Sequence, residues 1–324
     1  MTNEQTADAP DTAHSWDTYW QGTAEVGAWT AGGVSHPAIA AFWRDFFRTA
    51  QLPGPQALLD IASGNGSVID CAVSVLGETS LDVTCVDISE SAVAGIRRRF
   101  PNVKGVVCDA ASLPLDGGGF DIVTSQFGVE YAGPMAVEEA ARMAAPRGWL
   151  ALLLHHRGGL IHGECAASLD AIGHAQRCRF VPLAIDMFRA GFAAVRGADR
   201  APYDEAARRL APAAEALEAV VKTMGEQVAG GTIADLYAGV ARIHSRLPNY
   251  DPDEVLGWLQ RMESELDAYA GRMSSMIGSA IGPDAFEEIR TGMESRGWTV
   301  RQAGPLTPPG QELPLAWVLV ARAR

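Results

Sequence analysis

The sequence has 324 residues, 48% of them apolar, and a formal net charge of -13 at neutral pH. This length and apolar content allow one large domain or two smaller ones, each with a sizeable core. The negative charge argues against nucleic acid as a partner, because nucleic-acid affinity relies on clustered Lys and Arg that neutralise phosphates.

The N-terminal segment, residues 1–51, combines a polar start with an aromatic-rich region that has helical spacing. Met1 to Thr12 lacks the apolar stretch of a signal peptide, and no later apolar run reaches about eighteen residues. We therefore expect a cytoplasmic protein with no membrane partner. Trp16, Tyr19 and Trp20 recur at helical spacing, which is typical of a stripe that packs on a core.

The next stretch combines an apolar strand with a small-residue loop. Ala57 to Ile61 is apolar around Asp60, a helix is expected to open at Ser67, and a second apolar strand ends at Asp87. Glycines in such a loop let the backbone approach a ligand, and the acid after the second strand can accept ribose hydroxyls. This pattern predicts a nucleotide-cofactor site.

The composition of the loop bears on which nucleotide binds. A dinucleotide loop needs a third glycine, but Ile69 stands at that position, and the acidic Asp60 would repel a diphosphate. A cofactor that carries an ammonium and a sulfonium would instead be attracted. An NAD(P)-dependent oxidoreductase remains as an alternative.

Further strands follow at regular intervals. Apolar runs at Val106 to Cys108, Phe120 to Gly128 and Trp149 to Leu154 alternate with helical stretches between residues 52 and 159. This alternation predicts a parallel sheet with helices on both faces.

The motif Asp60-x-Ala62-x-Gly64-x-Gly66 resembles motif I of class I S-adenosylmethionine (SAM)-dependent methyltransferases, which usually have Gly at the position of Ala62. The later strands follow in the order typical of that family. The resemblance implies an α/β fold with a doubly wound, seven-stranded, mostly parallel Rossmann-like sheet, and SAM as the cofactor.

The resemblance also implies the roles of individual residues. The motif I loop would hold the amino-acid end of SAM, Asp87 the ribose, and Asp109 the adenine edge, although Asp109 could simply cap a turn. In the family the N-terminal helix commonly closes over SAM, so residues 1–51 are expected to form a helical lid. Its aromatic rings would favour a sulfonium through cation–π attraction. The implied cofactor residues are Asp60, Ala62, Gly64, Gly66, Asp87, Ile88, Asp109, Ala110, Gln126 and Trp20.

The remaining sequence divides into a helical insertion and a closing segment. Residues 160–282 are Ala-rich with helical periods such as Tyr203 to Met224, and family members often carry a substrate-covering cap at this place. Residues 283–324 predict a helix and two strands that form an antiparallel hairpin and complete the core. Whether the insertion is a substrate cap or a homodimer surface is open.

Four residues are candidates for catalysis because they lie at the carboxyl ends of the fourth and fifth strands: Glu130, Tyr131, His155 and His156. Methyl transfer from a sulfonium mainly requires alignment and, where needed, removal of a proton, for which a histidine is suited. Strand alternation directs the two histidines to opposite faces. His162, Cys165 and His174 match no zinc spacing, so no metal is expected.

Together these features predict a SAM-dependent methyltransferase that acts on a small, apolar or aromatic molecule. The sequence lacks the N/D-P-P-Y and Pro-Cys motifs found in nucleic-acid methyltransferases. The second alternative is a non-catalytic SAM-binding or scaffold protein, since function does not follow from fold.

Overall fold

The computed structural model describes residues 16, 17, 20, 36–52 and 54–324. Most of the predicted N-terminal lid, including Tyr19, therefore lies outside the described residues. Among the described residues of this segment, Trp16, Asp17, Trp20 and Pro37–Ala50 have helical conformation.

The described residues contain a seven-stranded sheet in the order β3-β2-β1-β4-β5-β7-β6. All neighbouring strands are parallel except β7, which runs antiparallel to both β5 and β6. This topology confirms the predicted doubly wound, seven-stranded, mostly parallel sheet and the closing hairpin. The strands are β1 (Gln56–Ile61), β2 (Leu81–Asp87), β3 (Lys104–Val107), β4 (Phe120–Gln126), β5 (Ala144–His155), β6 (Thr299–Leu306) and β7 (Ala316–Arg322).

Helices separate these strands and make up the insertion. They are α1 (Pro37–Ala50), α2 (Ser67–Leu76), α3 (Glu90–Arg99), α4 (Pro134–Met143), α5 (Leu160–Arg177), α6 (Phe180–Val195), α7 (Ala201–Met224), α8 (Thr232–Ser245), α9 (Pro252–Ser279) and α10 (Pro283–Ser295). Helix α3 is capped by Ser89, whose hydroxyl accepts the Ala92 N–H, and has three arginines in its last turn, where cations are favoured by the helix dipole.

Element boundaries differ from expectation mainly at β5. This strand begins at Ala144 rather than at Trp149, because Phe120 of β4 pairs with Ala144 and a bulge precedes the regular pairing of Ile122 with Trp149. A bulge adds residues to one strand without ending the ladder. Residues 144–148 therefore belong to β5, although they contain no run of large apolar side chains.

The chain divides into two compact units. One is Gly163–Ile277; the other consists of the described residues of Met1–His162 together with Gly278–Arg324 and contains the sheet. Each unit has its own apolar core, around Leu59, Val123 and Leu152 in the sheet unit and around Phe188 and Leu217 in the helical unit. The role of the helical unit as a substrate cap stays a prediction.

The sheet brings the predicted site residues to one edge. Because β1, β2, β4 and β5 are parallel, the loops that follow them all emerge at their carboxyl ends, where α/β sheets bind ligands. No helix in the described part of the chain is long and apolar enough to cross a membrane.

Candidate active site

Asp60 lies buried near the end of β1, between β2 and β4. Thr124 stands opposite it in the β1–β4 register and donates its hydroxyl to Oδ1 of Asp60 at 2.8 Å. The other carboxylate oxygen, Oδ2, is buried and has no hydrogen-bond partner among the described residues. Burial raises the pKa of Asp60 to about 7, since a carboxylate away from water is costly to ionise. The site thus holds a buried acid with one oxygen that has no hydrogen-bond partner among the described residues.

The loop after β1 turns through left-handed backbone at three positions. Ala62, Gly64 and Gly66 have φ angles of 53°, 53° and 77°. A side chain on Gly64 would lie 2.7 Å from the ring of Trp20, so the lid residue rests directly against this loop. The absence of a Cβ at Gly64 therefore allows the Trp20 ring to lie close to the backbone, and the approach of a ligand to this loop stays a prediction.

Asp87 ends β2 and holds the loop from the other side. Its Oδ2 accepts the Gly64 N–H at 2.8 Å, and its Oδ1 accepts the Ser89 N–H at 2.9 Å. Burial raises its pKa, and the nearby carboxylate of Asp17 adds to this effect. Each carboxylate oxygen has a further lone pair, so these backbone bonds leave acceptor capacity on Asp87.

Asp17 attaches the N-terminal segment to this edge. Its Oδ1 accepts both the Ser89 hydroxyl and the Ser91 N–H at 2.8 Å. A carboxylate at the start of α3 also interacts favourably with the helix dipole.

The predicted adenine-side residues lie further out. Ile88 is partly exposed, and Asp109 is exposed and accepts the Ala111 N–H through Oδ1 at 2.8 Å. Asp109 therefore caps a turn, the alternative that the sequence left open, and Ala110 beside it is half-buried. Gln126 links β4 to α1, since its amide oxygen accepts the Trp43 indole N–H at 2.6 Å.

Three of the four predicted catalytic residues come together. Glu130 lies in the 3-10 turn Val129–Ala132 after β4, and its Oε1 is 2.7 Å from Nδ1 of His155. The imidazole also contacts the rings of Phe127 and Tyr131, with centroid distances of 4.5 and 5.7 Å. The ring of Trp16 in turn meets Tyr131 edge-on at 5.5 Å. The site is thus a buried histidine with a carboxylate and aromatic rings around it.

His156 has different neighbours. Its ring stacks on Trp317 of β7 at 4.2 Å, and its Nδ1 is buried without a partner among the described residues. Burial lowers its pKa, so the neutral imidazole is favoured.

Sequence reasoning missed two residues of this site, Thr124 and Asp17, whereas Phe127 was expected at the tip of the fourth strand. The sequence does contain a signal for Thr124, because a hydroxyl within the apolar run of β4 needs a buried partner. It contains no signal for Asp17, since the partners of Asp17 are distant in the sequence. Within the described residues, no group of three or more His, Cys, Asp or Glu side chains is arranged to hold a metal ion.

Comparison with known proteins bears on the same region. Residues 58–148 match the family model described as a methyltransferase domain. Demethylmenaquinone methyltransferase of Beutenbergia cavernae is 35% identical over 100 residues, which are 30% of this chain and 40% of that protein. The enzyme of the same name from Mycolicibacterium gilvum is 37% identical over 115 residues, 34% of this chain and 46% of that protein.

The chain thus spans less than half the length of these curated relatives. A solved SAM-dependent methyltransferase from Aquifex aeolicus is 20% identical and aligns with 36% of this chain and 64% of that chain. Its TM-score is 0.32, which is too low to bear on fold or function.

Proposed function

We propose that this chain, whose residues 58–148 match a methyltransferase-domain model, is a SAM-dependent methyltransferase that transfers a methyl group from SAM to a small-molecule acceptor. The observation that carries this proposal is the pair of buried acids, Asp60 and Asp87, on either side of a loop with left-handed backbone at Ala62, Gly64 and Gly66.

The residues of this edge fit SAM. The unpartnered Oδ2 of Asp60 would be stabilised by a cationic group such as the ammonium of SAM, which would offset the cost of burying the charge. The remaining lone pairs of Asp87 can accept ribose hydroxyls, and the loop from Ala62 to Gly66 can lie along the amino-acid end. Bound SAM supplies an electrophilic methyl group on its sulfonium.

The outer contacts remain predictions. An adenine could lie against the residues that follow β2 and β3, which are Ile88, Asp109 and Ala110. The ring of Trp20 lies against the loop at Gly64. Gln126 would contribute mainly by holding α1 through Trp43.

An apolar or aromatic acceptor is supported by the aromatic rings of Phe127 and Tyr131 around His155. Aromatic side chains favour aromatic partners in edge-on or offset arrangements. One of the two histidines would act as the base. Because these relatives are named demethylmenaquinone methyltransferases, demethylmenaquinone is included among the acceptors to be tested. It has no priority over other acceptors, since the matches cover about a third of this chain.

The proposal is tested first by binding. Calorimetry should detect binding of SAM and S-adenosylhomocysteine but not of NADH. Asp87→Asn removes the charge and should weaken SAM binding roughly tenfold to a hundredfold, as expected for charge-assisted hydrogen bonds of about 1.5 to 3 kcal/mol. Asp82→Asn is the matched control, since Asp82 lies on the same strand but is exposed and pairs with Lys104.

Binding of NADH without binding of SAM would favour the oxidoreductase alternative. Where SAM binds, transfer of a labelled methyl group to a panel of small aromatic and apolar acceptors is measured next. Binding of SAM without turnover on any acceptor would favour the non-catalytic alternative.

A further inference from the structure

The carboxylate of Glu130 takes two donors from the same residue. Its Oε1 accepts the main-chain N–H of His155 at 2.8 Å and lies 2.7 Å from Nδ1 of the ring. The side chain of Glu130 is fully buried, and that of His155 is 5% exposed. The second oxygen, Oε2, has no partner among the described residues.

This arrangement follows from where the strands end. β4 ends at Gln126, which pairs with Leu153. The residues of β5 after Leu153 therefore have no neighbouring strand on the side of β4. The His155 carbonyl accepts the Ile281 N–H at 2.8 Å, and the His155 N–H finds Glu130. Glu130 thus replaces a missing strand partner, and this fixes its carboxylate beside the ring.

The shared oxygen determines the tautomer. An ionised carboxylate oxygen can only accept hydrogen bonds, so the ring nitrogen beside it must carry a proton. A neutral His155 then has its proton on Nδ1 and a lone pair on Nε2. The rings of Phe127 and Tyr131 pack on the imidazole and restrict its rotation.

We propose that Glu130 is a positioning residue that holds His155 in this tautomer, and that Nε2 of His155 accepts the proton of an aromatic hydroxyl on the methyl acceptor. This inference rests on the proposed function. It chooses His155 over His156, whose ring stacks on Trp317, and it narrows the acceptor to the phenol class.

The step balances without a further reactant. The acceptor O–H bond breaks as an Nε2–H bond forms, and the acceptor oxygen bonds to the methyl carbon. The electron pair of the C–S bond passes to sulfur, which becomes a neutral thioether. His155 is left as an imidazolium, which the carboxylate of Glu130 stabilises, and its proton then passes to water.

The tautomer can be observed without turnover. In ¹⁵N-histidine-labelled protein, we expect long-range ¹⁵N–¹H spectra to show His155 with its proton on Nδ1, assigned by the signal lost in His155→Asn. Glu130→Ala should shift His155 toward the Nε2–H form, and Glu287→Gln on the exposed face of α10 should leave it unchanged. An Nε2–H tautomer in the unsubstituted protein would overturn the inference.

Kinetics separate positioning from a structural role. Glu130→Gln keeps an acceptor oxygen and protects folding but removes the charge, so kcat should fall at least tenfold while KM for SAM stays within about twofold. His155→Asn should lower kcat by about a hundredfold to ten-thousandfold, the usual contribution of a positioned base. His174→Asn, an exposed histidine of α5, is the matched control.

Each failure has its own signature. Absence of SAM binding refutes the proposed function, whatever the tautomer. SAM binding and methyl transfer with full kcat in His155→Asn refute only the present inference. Turnover of amines or thiols but not of phenols in the acceptor panel would also overturn it.

Discussion

Asp60 shows how a single residue connects stability with ligand binding. Its carboxyl group is buried in the sheet, one oxygen is bonded to Thr124, and its pKa is raised to about 7 by burial. A buried ionisable group lowers the stability of the ligand-free protein. Groups whose pKa is strongly perturbed in this way cluster at functional sites. The charge that would bind a cation is therefore also a source of instability.

The pH dependence of stability follows from this raised pKa. Between the ordinary value of 3.8 and about 7, the native protein binds a proton at Asp60 that the unfolded chain has lost. Stability from the protonated form is thus fully present below pH 3.8 and decreases as pH rises to about 7. At about 1.4 kcal/mol for each pKa unit, the loss amounts to about 4 kcal/mol.

Asp60→Asn removes this ionisation. We expect the ligand-free variant to be more stable than the unsubstituted protein at pH 8, by up to about 4 kcal/mol, with the difference disappearing toward pH 4. Urea unfolding midpoints at several pH values measure this. Asp45→Asn, at an exposed position of α1, serves as the control. A difference that does not depend on pH would show that Asp60 is ionised throughout.

The loop after β1 depends on close packing against the end of β4. Ala62, just after β1, adopts the left-handed φ of 53° and stands where the family usually has glycine. Gly128 follows β4, and a Cβ added to it would collide with the Cβ of Ala62. One of these two positions must therefore remain without a side chain for the loop to pack on the end of β4.

Gly128→Ala tests this packing at the level of the element. We expect a loss of about 1 to 3 kcal/mol in stability, the usual cost of overpacking, together with weaker SAM binding. Ala62→Gly alone should be close to neutral, because relief of the left-handed backbone offsets the greater freedom of glycine in the unfolded chain.

The double variant Ala62→Gly/Gly128→Ala should recover most of the loss, since it removes the colliding methyl group. Thermal unfolding and calorimetry of the four proteins form a double-mutant cycle. Losses that simply add would mean that Gly128 matters for a reason other than its contact with Ala62.

At the scale of the whole molecule, the chain has two compact units, and Gly163–Ile277 has an apolar core of its own. We predict that residues 160–282 form a cap that covers the methyl acceptor. A homodimer surface is the alternative for the same segment.

Hydrogen exchange distinguishes these roles. If the helical unit is a substrate cap, S-adenosylhomocysteine with a phenolic acceptor should slow amide exchange in Gly163–Ile277 as well as in the loop after β1. S-adenosylhomocysteine alone is the control. If exchange in the helical unit does not respond, and light scattering detects a dimer, the interface becomes the better interpretation.

Most of the secondary structure of the sheet unit could be predicted from the sequence. The strands along the chain, the start of α2 at Ser67, the acid that ends β2 and the closing hairpin are encoded in local periodicity and turn residues. These signals depend only on neighbours along the chain. For this reason the predicted elements are present, and their ends are wrong mainly where a bulge lengthens β5.

Which side chains meet at the site depends on contacts between residues that are far apart in the sequence. Thr124 reaches Asp60 only through the β1–β4 register, and Asp17 meets Ser89 although 72 positions separate them in the sequence. Alternation along β5 separates the two histidines, but nothing local says which one faces Glu130. His155 faces Glu130 because β5 extends beyond the last residue of β4 in the sheet. The His155 N–H therefore has no partner on β4 and donates to Glu130, in the turn that follows β4.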